Sequence, residues 1–368
     1  MTTGPTDPGD TVDPDKLRMF SYLVFSKLEG AVTAGMIHLG DRLGLYAELA
    51  RAGRYITSDE LAARLGLHPR WVEEWIHNQA AARLVEVVHQ ADADRFALGP
   101  EAAVVLADEN QPAFGMGMFH RLPQTMNSLQ VLPESFRTGL GHDYDSHGPD
   151  GAVGIERSFE PWSRTHLLPT VLPAIDGLPE RLAAGARVAD IGCGAGGAAI
   201  RMASAFPNSH VIGYDISRFA LERARDRMTR ESVSNVEFRD PRREPLPEDG
   251  SLDFVTAFDC IHDMTHPQDV MGSVRRSLKD DGIWLLVDIK ALDTFEETIR
   301  KNPMASLMYG ISVMSCMSSA LSVPGGAGLG TLGLPESKAR RMAADAGFSR
   351  FRRLDIDHSL NAFYEIRP

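Results

Sequence analysis

The segment that most constrains the fold of this 368-residue chain is VADIGCGAGG, from Val188 to Gly197. Its first residues end a predicted strand that leads into the glycines, and a helical pattern of small and apolar residues follows the glycines. Gly192, Gly194 and Gly196 allow a tight turn and let the backbone approach a ligand closely. A glycine turn between a strand and a helix is typical of an open α/β sheet that binds a nucleotide-like ligand beyond the ends of its strands.

Short apolar strands are predicted from Arg187 onward. The first five alternate with helices, which favours parallel pairing through right-handed crossovers. The last two have no helix between them and should form an antiparallel hairpin. The predicted fold class is therefore α/β, with a Rossmann-like sheet. Its seven strands are Arg187–Ile191, His210–Tyr214, Val236–Arg239, Phe254–Phe258, Ile283–Ile289, Phe351–Asp357 and Ala362–Ile366.

The glycines alone do not identify the ligand, because Gly197 also completes the pattern G-x-G-x-x-G of dinucleotide-binding turns. Asp190 lies two residues before the first glycine, at the end of the predicted strand. A carboxylate at this position repels a pyrophosphate but attracts the ammonium and sulfonium groups of S-adenosylmethionine. Asp190 therefore favours S-adenosylmethionine as the cofactor.

Two more acidic residues follow the next two predicted strands. Asp215 ends the second strand, 25 residues after Asp190. It can accept hydrogen bonds from both ribose hydroxyls of either cofactor, so it supports nucleoside binding without discriminating. Asp240 follows the third strand, where an acid can reach an adenine amino group. A loop cap is the alternative role for Asp240.

The segments DIGCGAG, YDIS, FRD and FDCIHD occur in the order and spacing of class I S-adenosylmethionine-dependent methyltransferases. The resemblance covers about residues 187–289. It implies a seven-stranded sheet with a reversed last strand. It also implies cofactor contacts from the glycine loop and from the ends of the next three strands: Asp190, Gly192, Cys193, Gly194, Gly196, Asp215, Ile216, Asp240, Pro241, Phe258, Asp259 and Cys260.

The segment FDCIHDM should place His262 at the carboxyl end of the fourth strand, where a neutral imidazole can take a proton from a hydroxyl. The alternative is that His262 caps a helix or packs. The block from His262 to Ile289 resembles small-molecule O-methyltransferases of the plant and polyketide type, in which this His is the general base. The resemblance implies that Asp288 stands where the family has a supporting Glu. Two departures are Met264 in place of a Trp and a slightly shorter segment, and His266 is a rival base.

The N-terminal part is predicted to be helical, with one apolar helix around residues 17–28, a second near residues 31–50, and then a winged-helix outline. Thr57 and Glu60 fit a capping box, Gly66 ends that helix, and Pro69 begins the next. A strand pair follows, which completes the outline. Residues 51–110 hold six Arg and no Lys against ten Asp and Glu, a net charge of −4, which argues against DNA binding. The resemblance implies instead a homodimerisation domain.

The predicted organisation has four parts. Residues 1–14 form a disordered tail, 15–110 the helical winged-helix dimerisation domain, 111–180 a helical connector, and 181–368 the methyltransferase domain. A Met-rich insertion at 303–330 is predicted to be a lid over an apolar acceptor, with the run Gly325–Gly330 as a hinge. Phe159 and Trp162 are candidates to cover the cofactor.

Composition narrows the possible partners. Lys and Arg number 38 against 50 Asp and Glu, a formal charge of −12, which argues against nucleic acid and anionic membranes. Three cysteines give no disulfide framework or metal pattern, so we expect a cytoplasmic protein without a metal. The sequence therefore predicts methyl transfer to a small, fairly apolar acceptor, on oxygen. The alternatives are N- or C-methylation, or a cofactor-sensing regulator without catalysis.

Overall fold

The structure is a computed structural model that describes residues 11–368, and these residues form two compact units divided between Asp108 and Glu109. Of the predicted disordered tail, residues 1–10 lie outside the described part. The first helix begins at Pro14, where the Asp13 side chain accepts hydrogen bonds from two backbone N–H groups of the first turn. None of the helices within residues 11–368 combines the length and apolarity needed to cross a bilayer.

The N-terminal unit contains the predicted winged helix. The Thr57 hydroxyl accepts a hydrogen bond from the Glu60 N–H at 3.1 Å, and Gly66 ends the helix with a φ of 66°. Pro69 begins the next helix. The elements are α1 (Pro14–Arg42), α2 (Leu45–Ala52), α3 (Ser58–Leu65), α4 (Pro69–Ala81), β1 (Glu86–His89), β2 (Asp94–Ala97) and α5 (Pro100–Leu106).

One boundary in this unit differs from the sequence prediction. The apolar pattern suggested a helix around residues 17–28 and a second near residues 31–50, but α1 runs without a break to Arg42. Gly30 lies inside α1, where a glycine costs only about 1 kcal/mol relative to alanine and does not stop the helix. The chain turns instead at Gly44, whose φ of 71° is left-handed.

The segment before the sheet is helical, as predicted. Pro123 and Pro133 lie in the first turns of their helices, and Gly148 begins the longest one. The helices are α6 (Met116–His120), α7 (Leu122–Asn127), α8 (Leu132–Thr138), α9 (Gly148–Trp162) and α10 (Leu178–Ala184). Shorter turns are the 3-10 segments Ser128–Gln130, Tyr144–His147 and Leu172–Ala174 and the π-helical segment Ser163–Val171.

The seven-stranded sheet has the order β5-β4-β3-β6-β7-β9-β8, with β3 to β7 parallel and β9 antiparallel to both its neighbours. This confirms the reversed last strand. The strands are β3 (Arg187–Ile191), β4 (His210–Tyr214), β5 (Val236–Arg239), β6 (Leu252–Phe258), β7 (Leu278–Ile289), β8 (Arg350–Arg353) and β9 (Asn361–Arg367). The predicted strand at 351–357 is too long, because β8 is an edge strand whose pairing with β9 stops after the Leu354 N–H.

Helices cover both faces of the sheet, which explains why its strands are apolar without alternation. Val188 and Phe254 belong to the core on one face, and Ala189 and Val255 to the core on the other. The remaining helices are α11 (Gly197–Ala205), α12 (Arg218–Glu231), α13 (Pro267–Ser277), α14 (Phe295–Lys301), α15 (Ala305–Met314), α16 (Cys316–Ala320) and α17 (Glu336–Asp345), with a 3-10 turn at Ile261–Asp263. After β3 the chain adds β4 and β5 on one side of that strand, and then adds β6 and β7 on its other side. The strand order therefore reverses between β3 and β6, and a ligand site is expected beyond their carboxyl ends.

Candidate active site

The glycine loop connects β3 to α11, and its three predicted glycines have φ values of 55–76°. A Cβ on Gly192 would lie 2.5 Å from the Cβ of Cys260, and one on Gly196 would lie 2.5 Å from a Phe238 ring carbon. These two glycines are therefore needed for close packing. Gly194 has no atom within 4 Å of its Cβ position, so its left-handed backbone borders open space where a ligand can approach.

Asp190 lies at the end of β3 with only 1% of its surface exposed. Its Oδ1 accepts a hydrogen bond from the Thr256 hydroxyl at 2.7 Å, but its buried Oδ2 has no hydrogen-bond partner. Burial raises the pKa of Asp190 to about 7. A buried carboxylate oxygen without a donor is costly. A cationic group of a ligand beside the loop would supply that donor.

Asp215 connects the glycine loop to the loop that follows β4. Its two carboxylate oxygens accept hydrogen bonds from the N–H groups of Gly194 and Ser217, both at 2.8 Å. Burial raises the pKa of this carboxyl group. Each carboxylate oxygen has two lone pairs, so Asp215 retains capacity to accept a ligand hydroxyl. Its contact with ribose stays a prediction.

Asp240 follows β5, and all its observed contacts are local. Its oxygens accept hydrogen bonds from the Arg242 backbone at 3.0 Å and from the Arg242 guanidinium at 2.8–2.9 Å. The same guanidinium donates to the Ile216 carbonyl at 2.7 Å. These contacts are those of the loop cap that was the alternative role for Asp240. Through Arg242 they connect the loop after β5, which contains Pro241, to Ile216 in the loop after β4.

The end of β6 brings three predicted residues to the same edge. Asp259 has a left-handed φ of 49°, which turns the chain sharply there, and the Asn361 amide donates to its carboxylate. Burial raises the pKa of Asp259 to about 7. The Cys260 thiol donates to the Ile191 carbonyl at 3.2 Å, which joins this turn to the end of β3.

Phe258 is the centre of an aromatic cluster on one face of the sheet. The rings of Phe159 and Trp162 lie 5.4 Å and 5.9 Å from the Phe258 ring. Trp162 also stacks on Phe363 of β9. These contacts place the two aromatic side chains of α9 against Phe258, and their predicted role of covering the cofactor stays a prediction.

His262 and Asp288 form a buried pair next to this edge. The imidazole Nδ1 lies 2.6 Å from the Asp288 Oδ1, and the two side chains are 4% and 2% exposed. The Ile289 N–H also donates to Oδ1, at 2.8 Å. Burial alone would lower the pKa of His262, but the adjacent Asp288 carboxylate and the Cys316 thiol raise it well above its usual value. His266, the rival base, lies instead at the start of α13.

The 303–330 insertion is in contact with this pair. Helix α16 packs on the turn Ile261–Asp263, and the His262 carbonyl accepts a hydrogen bond from the Gly330 N–H at 3.0 Å. A Cβ on Gly330 would lie 2.3 Å from the Ser312 hydroxyl. The glycine run therefore permits close packing against the His262 turn, and backbone hydrogen bonds hold it there.

Three residues near the site carried no signal in the sequence: Arg121, Tyr144 and Cys316. Burial raises the pKa of the Tyr144 hydroxyl, and the charges of Asp263 and Asp215 raise it further. Arg121 reaches Ser315, 194 residues further along the chain. No local motif marks such contacts, because they depend on how distant segments pack. Within residues 11–368 no cluster of three potential ligands could hold a metal ion.

Comparison with known proteins agrees with this architecture. Residues 182–347 match the family described as "Methyltransferase domain", and residues 31–108 match the "Rv2258c-like winged HTH domain". The chain therefore carries a methyltransferase domain preceded by a winged helix-turn-helix domain.

A curated relative is 27-O-demethylrifamycin SV methyltransferase from Amycolatopsis mediterranei. It is 39% identical over 110 residues, which make up 29% of this chain and 40% of the relative. Across eight such curated relatives, the chain matches between 5% and 48% of the relative's length.

Solved structures resemble nearly the whole chain. Human N-acetylserotonin methyltransferase, solved in complex with SAM, is 16% identical with a TM-score of 0.69, over 98% of this chain and 99% of that one. Mitomycin 7-O-methyltransferase MmcR is 20% identical with a TM-score of 0.70, over 96% and 99%. At these identities the likeness establishes the fold, and it confirms the predicted methyltransferase sheet with an N-terminal winged helix.

Proposed function

We propose that this protein transfers a methyl group from S-adenosylmethionine to a hydroxyl oxygen of a small, largely apolar acceptor. The observation that carries the proposal is the buried pair His262–Asp288, which lies at the carboxyl ends of β6 and β7. Strand β6 is the direct neighbour of β3, the strand that leads into the glycine loop. A base held by a carboxylate next to a cofactor loop suits the activation of a hydroxyl. The O-methyltransferase names of two similar proteins support oxygen as the acceptor atom.

The residues of the glycine loop fit S-adenosylmethionine. The unpartnered Oδ2 of Asp190 can accept a hydrogen bond from its ammonium group, and the space beside Gly194 admits the amino acid part. Asp215 can accept hydrogen bonds from the ribose. The side chains proposed to surround the rest of the cofactor are Cys193, Ile216, Asp240, Pro241, Phe258, Asp259 and Cys260. When bound, S-adenosylmethionine supplies an electrophilic methyl group on a sulfonium.

His262 can act as the general base in this proposal. Its Nδ1–H donates to Asp288, which leaves the lone pair on Nε2 to accept a proton from the acceptor hydroxyl. Asp288 then stabilises the imidazolium that forms. Orientation of the acceptor toward the methyl group supplies a further part of the rate. The proton ends on Nε2 and passes to solvent after release of the product.

The acceptor is proposed to be apolar over most of its surface. Met308, Met314 and Met317 of α15 and α16 are half-buried, and α16 packs on the His262 turn. Their thioethers are flexible and can contact an aromatic or aliphatic body. N- or C-methylation on the same scaffold is the alternative chemistry, and it would not need His262.

We also propose that α1 forms a homodimer contact. Its apolar side chains are exposed over about half their surface or more, at positions three or four residues apart. A second copy of the same helix would cover this surface, as an apolar patch of this kind commonly does. The residues are Leu17, Phe20, Leu23, Val24 and Leu28.

The three free cysteines support a cytoplasmic location.

A single assay tests the proposed activity. The protein is incubated with S-adenosylmethionine bearing a deuterated methyl group and a panel of phenols, and the products are identified by mass spectrometry. Appearance of a phenol heavier by one labelled methyl group supports O-transfer. Labelled products from aniline analogues alone would favour N-methylation. Cofactor binding without transfer to any acceptor would favour the regulator alternative.

A further inference from the structure

A buried arginine lies next to the proposed acceptor site. Arg121, between α6 and α7, is 3% exposed. Its guanidinium donates to the Ser315 hydroxyl at 2.9 Å and to the Thr125 hydroxyl at 3.3 Å. Across residues 11–368, no carboxylate lies within the 4.0 Å of an ion pair with it. The carboxyl group of Asp263 is near enough for the charge of Arg121 to lower its pKa, but burial outweighs this effect and raises that pKa to about 7. Burying a cation whose hydrogen-bond partners are neutral is costly. We therefore expect a ligand to provide the compensating negative charge.

Glycines in α6 and α9 make room for the Arg121 side chain. A Cβ on Gly154 of α9 would lie 2.8 Å from the Cβ of Arg121. A Cβ on Gly117 of α6 would lie 2.5 Å from the Gly154 carbonyl, so the two helices touch at these glycines. Arg121 is therefore held in a fixed position by backbone packing, with its stem against α9.

The guanidinium is directed toward the His262 region. Its partner Ser315 separates α15 from α16, and α16 packs on the turn Ile261–Asp263 that contains His262. His147 contacts the same Ser315 hydroxyl at 3.0 Å. Burial and the charge of Arg121 together lower the pKa of His147 to about 4, so this imidazole is neutral near pH 7. Among the buried side chains of Arg121, Ser315 and His147, Arg121 is therefore the one that carries a positive charge.

We propose that Arg121 binds a carboxylate of the methyl acceptor, which makes the acceptor an aromatic or aliphatic hydroxy acid. This proposal rests on the proposed methyltransferase function and specifies its substrate class. A guanidinium has five N–H donors, and the two observed hydrogen bonds use two of them. The remaining three suffice for a two-point contact with a carboxylate. The acceptor's apolar body would then lie between Arg121 and the base His262.

The test compares carboxylates with their uncharged amides. Hydroxybenzoates, hydroxynaphthoates and hydroxycinnamates, and the matching carboxamides, are titrated calorimetrically into protein saturated with S-adenosylhomocysteine. We expect at least one carboxylate to bind more tightly than its amide. Arg121→Gln should weaken carboxylate binding roughly 10- to 100-fold, as expected for a lost charge-assisted hydrogen bond, and leave amide binding within about threefold. Arg121→Lys should restore part of the preference.

Other results would contradict the proposal. Equal binding of carboxylates and amides by the wild-type protein, or no carboxylate binding at all, would overturn it. Equal weakening of both ligand types by Arg121→Gln would show that Arg121 only fixes the α15–α16 junction through Ser315. The affinity for S-adenosylhomocysteine is measured separately in both proteins. If the wild-type protein does not bind it, the proposed function fails, and the carboxylate comparison is then made on the protein alone.

Discussion

The imidazole of His262 and the carboxylate of Asp288 form a hydrogen bond of 2.6 Å at the carboxyl edge of the sheet. The two residues come from the turn after β6 and from the end of the neighbouring strand β7. Both are almost fully buried. This relationship fixes which imidazole nitrogen carries the proton and which one can act as a base, and several predictions depend on it.

Replacing His262 by Ala should lower kcat roughly 10²- to 10⁴-fold, the usual contribution of a general base. The affinity for S-adenosylhomocysteine should stay unchanged, because the residues proposed to bind it, Asp190 and Asp215, are retained. The matched control is His266→Ala, which removes an imidazole four residues away at the start of α13. A similar loss in both variants would contradict the assignment, and an unchanged rate in His262→Ala would leave catalysis to orientation alone.

The rate should depend on pH through the same pair. Asp288 raises the pKa of His262, so the base form appears only above the usual value of 6.5. We therefore expect kcat/KM to rise with pH, with a midpoint above 6.5. Asp288→Asn removes the carboxylate and should shift that midpoint downward while lowering the maximal rate. A profile that is flat, or that shifts upward in the variant, would count against the mechanism.

Asp190 should make the protein less stable as the pH rises. Its pKa in the folded protein is about 7, above the usual 3.8, so its favourable contribution is complete below pH 3.8 and is lost as the pH rises through 7. Asp190→Asn should therefore gain ~1–3 kcal/mol of stability relative to wild type at pH 8 in the absence of cofactor. Thermal unfolding monitored between pH 5 and 8 measures this difference.

Asp253→Asn is the control with the opposite sign. Burial would raise the pKa of Asp253, but Lys279, at 2.7 Å, and the Arg187 N–H lower it below its usual value. Its stabilising contribution is present above its unfolded pKa, so the variant should be less stable than wild type at pH 8. A loss of stability in Asp190→Asn at pH 8 as well would show that the unpartnered Oδ2 of Asp190 does not destabilise the folded protein.

The exposed apolar side chains of α1 should control the oligomeric state. Phe20→Asp places a charge on a side chain that is 63% exposed, and we expect it to convert a dimer into a monomer. Light scattering after size-exclusion chromatography measures the mass. Phe136→Asp, at a position that is 77% exposed outside α1, should leave the dimer intact. A monomeric wild-type protein would refute the contact.

The sheet was largely predictable because its signals are local. Three strands, at Arg187, His210 and Val236, begin and end where the apolar pattern predicts. The pairing of His262 with Asp288 followed from a family resemblance, since the residues are 26 positions apart and only the strand order brings them together. Arg121 and Tyr144 were missed because their roles come from packing between distant segments. The break at Gly44 was missed because apolar periodicity continues through it.

The glycine loop and the Asp190 carboxylate, whose Oδ2 has no hydrogen-bond partner, are proposed to bind a nucleoside cofactor through its ammonium group. Calorimetric titration of the wild-type protein with S-adenosylhomocysteine and with NAD, alongside Asp190→Asn, tests it most directly. We expect S-adenosylhomocysteine to bind, NAD not to bind, and the variant to lose roughly 10- to 100-fold in affinity, the effect of a lost charge-assisted hydrogen bond. Binding of NAD in preference to S-adenosylhomocysteine, or full affinity in Asp190→Asn, would contradict the claim.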